Sequence, residues 1–376
     1  LSANTKIWLS SPHMGGNEEN YVAEAFKTNW IAPLGPNLTG FEDSIEEFLG
    51  ESKRVAVLSS GTAAIHLGLK ILGVGAGDEV ICQSFTFSAS ANPITYLGAI
   101  PIFVDSENST WNLDPELLED CIKERIKSGK TPKAIIAVDL YGMPFMADEI
   151  NAVANKYNIP VLEDSAEALG STYKGKKCGT LTSLGVLSFN GNKIITTSGG
   201  GALITDSKEI KEKAVFIACQ ARDEAPHYQH SEIGHNYRMS NVLAGIGRGQ
   251  MEVLPERVAA RRANYDFYVK ELSDSKQVNF LDEPKGLRSN RWLSCIVLPN
   301  FEVREKIRIA LLKENIESRP LWKPMHEQPV FKKSPNYLNG VSSELFKKGL
   351  CLPSGSNLNR EDLIRITNII KNNLHQ

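Results

Sequence analysis

The sequence predicts an α/β fold, with a large domain on a mostly parallel sheet and a smaller α+β domain at the C-terminal end. Three observations carry this. From about residue 54 to 164, short apolar runs alternate with stretches of helical period. Beyond Asp164 the rhythm changes to strand-like runs separated by a polar, glycine-rich segment. The length, 376 residues, exceeds one ordinary core at roughly 100–200 residues per domain.

The apolar run 55–58 reads as a strand, and 63–72 as a helix with Ile65, Leu69 and Leu72 on one face. Strands at 79–82, 101–104, 134–138 and 161–164 follow, separated by helical stretches at 88–97, within 115–127 and at 148–157. These strands are apolar along both faces, as in a sheet covered by helices on each side. Strand patterns recur at 185–189 and 202–205, and 241–272 reads as one long or broken helix. A strand at 291–298 and a helix at 361–371 complete the chain. The predicted domains are 1–240 and 241–376.

Hydrophobic residues make up 41% and charged residues 23%, a globular composition. Lys plus Arg is 42 against 44 for Asp plus Glu, which excludes a bulk basic field for nucleic acid. No apolar run approaches the ~18–20 residues of a membrane span. The opening Leu1-Ser2-Ala3-Asn4-Thr5-Lys6 lacks a signal-peptide core. Cys82, Cys121, Cys178, Cys219, Cys295 and Cys351 are scattered without a C-x-x-C pair, which points to free thiols in a reducing cytoplasm rather than disulfides or structural zinc.

In a parallel sheet, ligands gather beyond the carboxyl ends of the strands. Ser60-Gly61-Thr62 lies there, between a strand and a helix. It is either a phosphate cradle of unpaired helix-start amides or a simple cap. Asp164 ends an apolar strand, and it either stabilises a proton on a heterocyclic nitrogen or caps a helix. Lys193, flanked by glycine turns and apolar Ile194-Ile195, is either a nucleophilic amine or an exposed loop lysine. Phe87 is either an aromatic face for a ring or a core side chain. Together, a phosphate cradle, an acid and an amine are the contacts that pyridoxal 5′-phosphate requires.

His227, His230 and His235 do not have the spacing of a metal helix, and no metal is expected. His66 reads as a packed side chain, and Arg257, Arg261 and Arg262 as a solvated face or an interface.

Several longer motifs carry a resemblance. They are S-S-G-T-A-A-I-H-L at 59–67, F-T-F at 85–87, E-D-S-A-E-A-L-G at 163–170, S-F-N-G-N-K at 188–193, T-S-G-G-G-A at 197–202, G-H-N-Y-R-M-S-N at 234–241 and R-P-L-W-K-P-M-H at 319–326. Along nearly the whole chain they resemble the sugar aminotransferases of the DegT/DnrJ/EryC1/StrS family, of the fold type I pyridoxal-phosphate enzymes. P-H-M-G-G-N-E at 12–18 and A-P-L-G-P at 32–36 are similar to the branch acting on nucleotide-linked 4-keto-6-deoxy-hexoses.

The resemblance implies that Lys193 bonds the cofactor aldehyde and Asp164 pairs with its ring nitrogen. Ser188 and the amides of Gly61 and Thr62 would hold the phosphate, which Asn236 would reach from the partner subunit of a homodimer. Phe87 would stack on the ring. Glu167 occupies the place beside the ring hydroxyl where many relatives carry Gln or His. Arg238, Arg319, Trp322 and His326 would contact the nucleotide sugar. The implied reaction passes an amino group from L-glutamate to a 4-keto-6-deoxy-hexose, UDP-linked before GDP-linked, giving a 4-amino sugar for surface polysaccharide or glycan synthesis. A 3-keto substrate stands as an alternative. Relatives that dehydrate sugars replace the Schiff-base lysine with histidine, so Lys193 argues against that chemistry.

Overall fold

The computed structural model describes residues 5–50 and 52–374. The opening Leu1-Ser2-Ala3-Asn4 of the signal-peptide reading lies outside the described residues. Two helices that the sequence reading leaves unassigned, α1 (Glu18–Lys27) and α2 (Pro36–Leu49), precede the first strand. The predicted alternation then runs as β1 (Arg54–Leu58), α3 (Gly61–Ile71), β2 (Glu79–Gln83), α4 (Ser88–Tyr96) and β3 (Ile100–Val104). It continues through α5 (Pro115–Lys127), β4 (Ala134–Val138), α6 (Ala147–Lys156) and β5 (Val161–Asp164). A two-residue ribbon, β6 (Thr172–Tyr173) and β7 (Lys176–Lys177), leads to β8 (Leu184–Ser188), β9 (Gly201–Thr205) and α7 (Lys208–Ala218).

The helix expected over 241–272 is broken into α8 (Asn241–Glu252) and α9 (Leu254–Leu272). The break at Val253 is followed by Pro255, which is suited to a first helical turn because it has no N–H to leave unpaired. Then come β10 (Asn279–Phe280), β11 (Leu287–Arg288), β12 (Ser294–Val297), α10 (Phe301–Lys313), β13 (Arg319–Pro320), β14 (Asn336–Tyr337), α11 (Val341–Lys348), β15 (Gly349–Leu352) and α12 (Arg360–Leu374). The strand predicted from residue 291 starts later. Asn290 Oδ1 accepts from the Trp292 amide at 2.8 Å and Ser289 Oγ from the Arg291 amide at 3.0 Å, a turn held by side chains.

The large sheet has the order β1-β9-β8-β5-β4-β2-β3-β14. Only β9 runs against its neighbours, pairing antiparallel with both β1 and β8. The sheet is therefore mixed and mostly parallel, and the carboxyl ends of β1, β5 and β8 share one edge. Buried residues on both faces, such as Ile135 and Ile136 of β4, join separate cores above and below it. A second sheet, β10-β12-β15-β13, is antiparallel and packs with α10 and α12.

Helix α8 packs against α1 and α2. A side chain on Gly249 would meet Glu18 backbone at 2.7 Å, and one on Gly247 would meet the Phe41 ring at 2.6 Å. This close approach explains how two weakly apolar helices are held.

Candidate active site

The edge where β1, β5 and β8 end opens into a cavity of about 310 Å³. On one side, Ser60 caps α3, its Oγ accepting from the Ala63 amide at 3.0 Å. The amides of Gly61 and Thr62, ahead of any intrahelical acceptor, border the cavity beside Ser188 at the end of β8. A Cβ at Gly61 would lie 3.1 Å from Ser188 Cβ and 3.4 Å from its Oγ, so glycine keeps this cradle open. The cap is present, and the amides beside it border the cavity.

Asp164 stands at the end of β5 and is 4% exposed. Its Oδ2 accepts from Ser90 Oγ at 2.6 Å and its Oδ1 from the Ala166 amide at 3.2 Å. Burial pushes its carboxyl above the ordinary range, although Ser90, Ala166 and the charge of Lys193 pull the other way. Lys193 Nζ lies 3.3 Å from Glu167 Oε1 and 4.2 Å from the centre of the Trp292 ring. Glu167 is also pushed up by burial, and its Oε2 accepts from the Tyr141 amide at 2.7 Å.

Aromatic side chains form the outer wall. Phe87 is half exposed at the cavity rather than in the core, with its ring centre 6.0 Å from that of Trp322. Gly61, Thr62, Phe87, Asp164, Glu167, Ser188, Lys193 and Trp322 thus line one cavity. Helix-start amides and a hydroxyl for a phosphate, a buried acid for a ring nitrogen and one amine for an aldehyde fit pyridoxal 5′-phosphate.

The remaining candidates lie elsewhere. Asn236 is exposed, with its Oδ1 accepting from Gln220 Nε2 at 3.0 Å. Arg238 is committed to Glu42 Oε1 at 2.5 Å and the Val57 carbonyl at 2.9 Å. Arg319 pairs with Glu317 at 2.8 Å on the surface of the small sheet. His326 is tied to Ser84, its Nδ1 lying 2.7 Å from the Ser84 hydroxyl.

Sequence reasoning missed Ser90 and Trp292, and it quoted Thr86 only within the F-T-F motif, with no role of its own. Thr86 and Ser90 are four residues apart, a helical spacing that could have flagged them. Trp292 reaches the cavity from the small domain, and nothing local signals that.

Of the two alternatives for the arginine cluster, the solvated face is excluded for Arg257 and Arg261, which are buried against other segments of the chain. Arg261 is 1% exposed, and its guanidinium donates to the carbonyls of Trp292 at 2.7 Å and Ser354 at 3.3 Å. Arg257 donates to the Met14 carbonyl at 2.9 Å. The N-terminal segment and the loops carrying Trp292 and Ser354 cover this helix face. His66 is packed as expected, edge-on to Tyr96 and beside His235, and burial lowers it to about 4. His227 and His230 are exposed in the loop before His235. Among the described residues, Asp139, Glu163 and Cys178 are grouped closely enough to ligate a metal. The Ser165 hydroxyl and the amides of Gly179 and Leu181 already occupy the carboxylates of that group. No described helix is long and apolar enough to cross a membrane.

Comparison with known proteins agrees with this geometry. The profile described as the DegT/DnrJ/EryC1/StrS aminotransferase family matches residues 12–371. EpsN of Bacillus subtilis (strain 168), provisionally named a pyridoxal phosphate-dependent aminotransferase, is 50% identical over 98% of this chain and 96% of its own. The GDP-perosamine synthase of Escherichia coli O157:H7 is 36% identical over 96% of each chain. Among solved structures, Spr1654 of Streptococcus pneumoniae, provisionally named a sugar aminotransferase and captured in its PLP form, superposes with a TM-score of 0.90 at 26% identity, covering 98% of each chain.

Proposed function

We propose a donor and an acceptor for this chain, which belongs to the DegT/DnrJ/EryC1/StrS aminotransferase family. It is a pyridoxal-phosphate-dependent sugar aminotransferase. Its donor is L-glutamate, and its acceptor is a 4-keto-6-deoxy-hexose carried on a nucleoside diphosphate. One observation carries the reading. Lys193 is the sole cation lining the cavity among the described residues, and it shares that cavity with buried Asp164 and the Gly61–Ser188 cradle.

When bound, the cofactor supplies an electron sink for the pair left when a proton departs from the donor's Cα. Gly61, Thr62 and Ser188 would hold its phosphate, and Asp164 would pair with its ring nitrogen. A cation placed against Asp164 offsets the burial that favours the protonated acid, so the carboxylate forms where it is needed. Lys193 does the proton work. Its amine takes the proton from the donor's Cα, and later delivers one to the sugar carbon that receives the nitrogen.

Phe87, Trp292 and Trp322 give the cavity an aromatic side that suits the apolar face and methyl group of a 6-deoxy sugar. The opening motifs suit a nucleotide-linked 4-keto-6-deoxy-hexose, and we place a UDP-linked acceptor first. A GDP-linked acceptor is the second reading, favoured by the 36% identity to a GDP-perosamine synthase. The active unit in this reading is a cytoplasmic homodimer. Asn236, exposed and outside its own cavity, is free to reach the partner's phosphate site.

Two experiments test the reading. Borohydride reduction of the loaded enzyme followed by peptide mapping is expected to place the cofactor on Lys193, and an adduct on another lysine overturns the site. A panel of UDP-, GDP- and dTDP-linked 4-keto and 3-keto sugars with glutamate is expected to yield a 4-amino sugar from the UDP-linked 4-keto compound. Amination confined to 3-keto sugars overturns the acceptor.

A further inference from the structure

We infer that Trp292 is a positioning residue for Lys193, acting on both ends of that lysine. The inference rests on the reading of Lys193 as the working amine. The indole Nε1 of Trp292 donates to the Asn192 carbonyl at 2.7 Å, which fixes the backbone just before the lysine. The face of the same ring lies under the other end, 4.2 Å from Nζ. Trp292 is 1% exposed, stacked near Tyr141 at 17° and 6.4 Å, so its plane is itself held.

Two further groups complete the clamp. Ser10 Oγ donates to the same Asn192 carbonyl at 2.7 Å. Arg261 donates to the carbonyls of both Trp292 and Lys193, at 2.7 and 3.4 Å, and to Ser10 Oγ at 2.9 Å. The loop that carries the amine is thus tied to the small domain and to the N-terminal segment. When Nζ is released from a bonded partner, the ring face and Glu167 define where it rests. An ammonium over an indole face is held electrostatically, and a long lysine without that face explores many rotamers.

The test reads Lys193 directly in the full chain freed of cofactor. Limiting acetic anhydride is applied, and acetylation of Lys193 is measured by peptide mass spectrometry against Lys208, whose side chain is 74% exposed. Trp292→Leu is expected to raise the Lys193/Lys208 ratio about fivefold, the worth of a partly buried cation–π contact. Trp292→Phe, which keeps a ring face, is expected to stay within about twofold of wild type. An unchanged ratio in Trp292→Leu overturns the inference, and an equal rise in both variants overturns the part assigned to the ring face, leaving only the indole N–H tie that both variants lose. Should the leucine variant fail to fold, Trp292→Met removes the ring with an unbranched, adaptable side chain of similar volume that can fill the space differently, and is read the same way. No substrate or cofactor enters this measurement. A wild-type chain inactive on keto sugars would therefore sink the proposed function without altering the ratio.

Discussion

Ser90 donates its hydroxyl to Asp164 Oδ2 at 2.6 Å, and Thr86 Oγ1 lies 2.7 Å from that same hydroxyl. Ser90 sits in the first turn of α4 and Asp164 at the end of β5, so the contact ties the helix that follows β2 to the carboxyl end of β5. It fixes the plane of the carboxylate. It also favours the charged form against a burial that disfavours it.

Ser90→Ala removes that donor. The carboxyl of Asp164 then rises further, and the acidic limb of the kcat/KM profile is expected to move to higher pH. The loss in kcat/KM is expected to be about tenfold, the scale of one hydrogen bond to a charged group. A pH–rate profile whose acidic limb matches that of wild type would show that Ser90 does not tune Asp164.

Asp164→Asn separates function from stability. With its native value raised, this acid binds a proton more tightly in the cofactor-free fold than in the unfolded chain. Its contribution therefore disfavours folding as pH rises from the ordinary carboxylate range through the raised native value. Asparagine lacks this titration. The cofactor-free variant is expected to match wild type near pH 4, to be roughly 1 kcal/mol more stable at pH 8, and to have lost most activity. Urea unfolding at the two pH values measures this. A variant less stable than wild type at pH 8 would contradict the burial argument.

The cavity was legible where chemistry sits at strand ends. Gly61, Thr62, Asp164, Ser188 and Lys193 all follow or end apolar runs, and a parallel sheet sends such ends to one edge. What could not be read depends on tertiary covering. Arg257 and Arg261 are spaced four apart, a sound sign of a shared helix face. That the face is covered by residues 10–14 and 354 is decided by packing that no local pattern encodes. Helices α1 and α2 escaped for a related reason. Their support is the glycine face of α8, about two hundred residues away in sequence. Arg238 and His326 sit in family-like motifs, yet their side chains are committed to Glu42 and Ser84.

Gly61→Ala tests the cradle. The added Cβ would press on Ser188 Cβ at 3.1 Å and on the Leu187 carbonyl at 3.4 Å. Ser188 must shift by a few tenths of an ångström, away from the place where it would meet a phosphate. Pyridoxal phosphate affinity, followed by equilibrium dialysis, is expected to fall about tenfold, while the cofactor-free melting temperature stays close to wild type. Unchanged affinity would remove Gly61 from the phosphate site.

The homodimer with shared sites proposed above makes a prediction that one chain alone cannot meet. Lys193→Ala lacks the amine, and Asn236→Asp sets a carboxylate where the partner's phosphate would be, so each homodimer is expected to be nearly inactive. In a hybrid of the two, both lesions fall on one site and the other site is intact. Coexpression with two affinity tags and purification over both isolates that hybrid, whose activity is expected to be about half that of wild type. If Asn236 instead serves the cavity of its own chain, each site of the hybrid carries one lesion and no activity returns. A dead hybrid, with both tags confirmed in the same particle, therefore refutes the shared site while leaving the roles of Lys193 and Asp164 untouched.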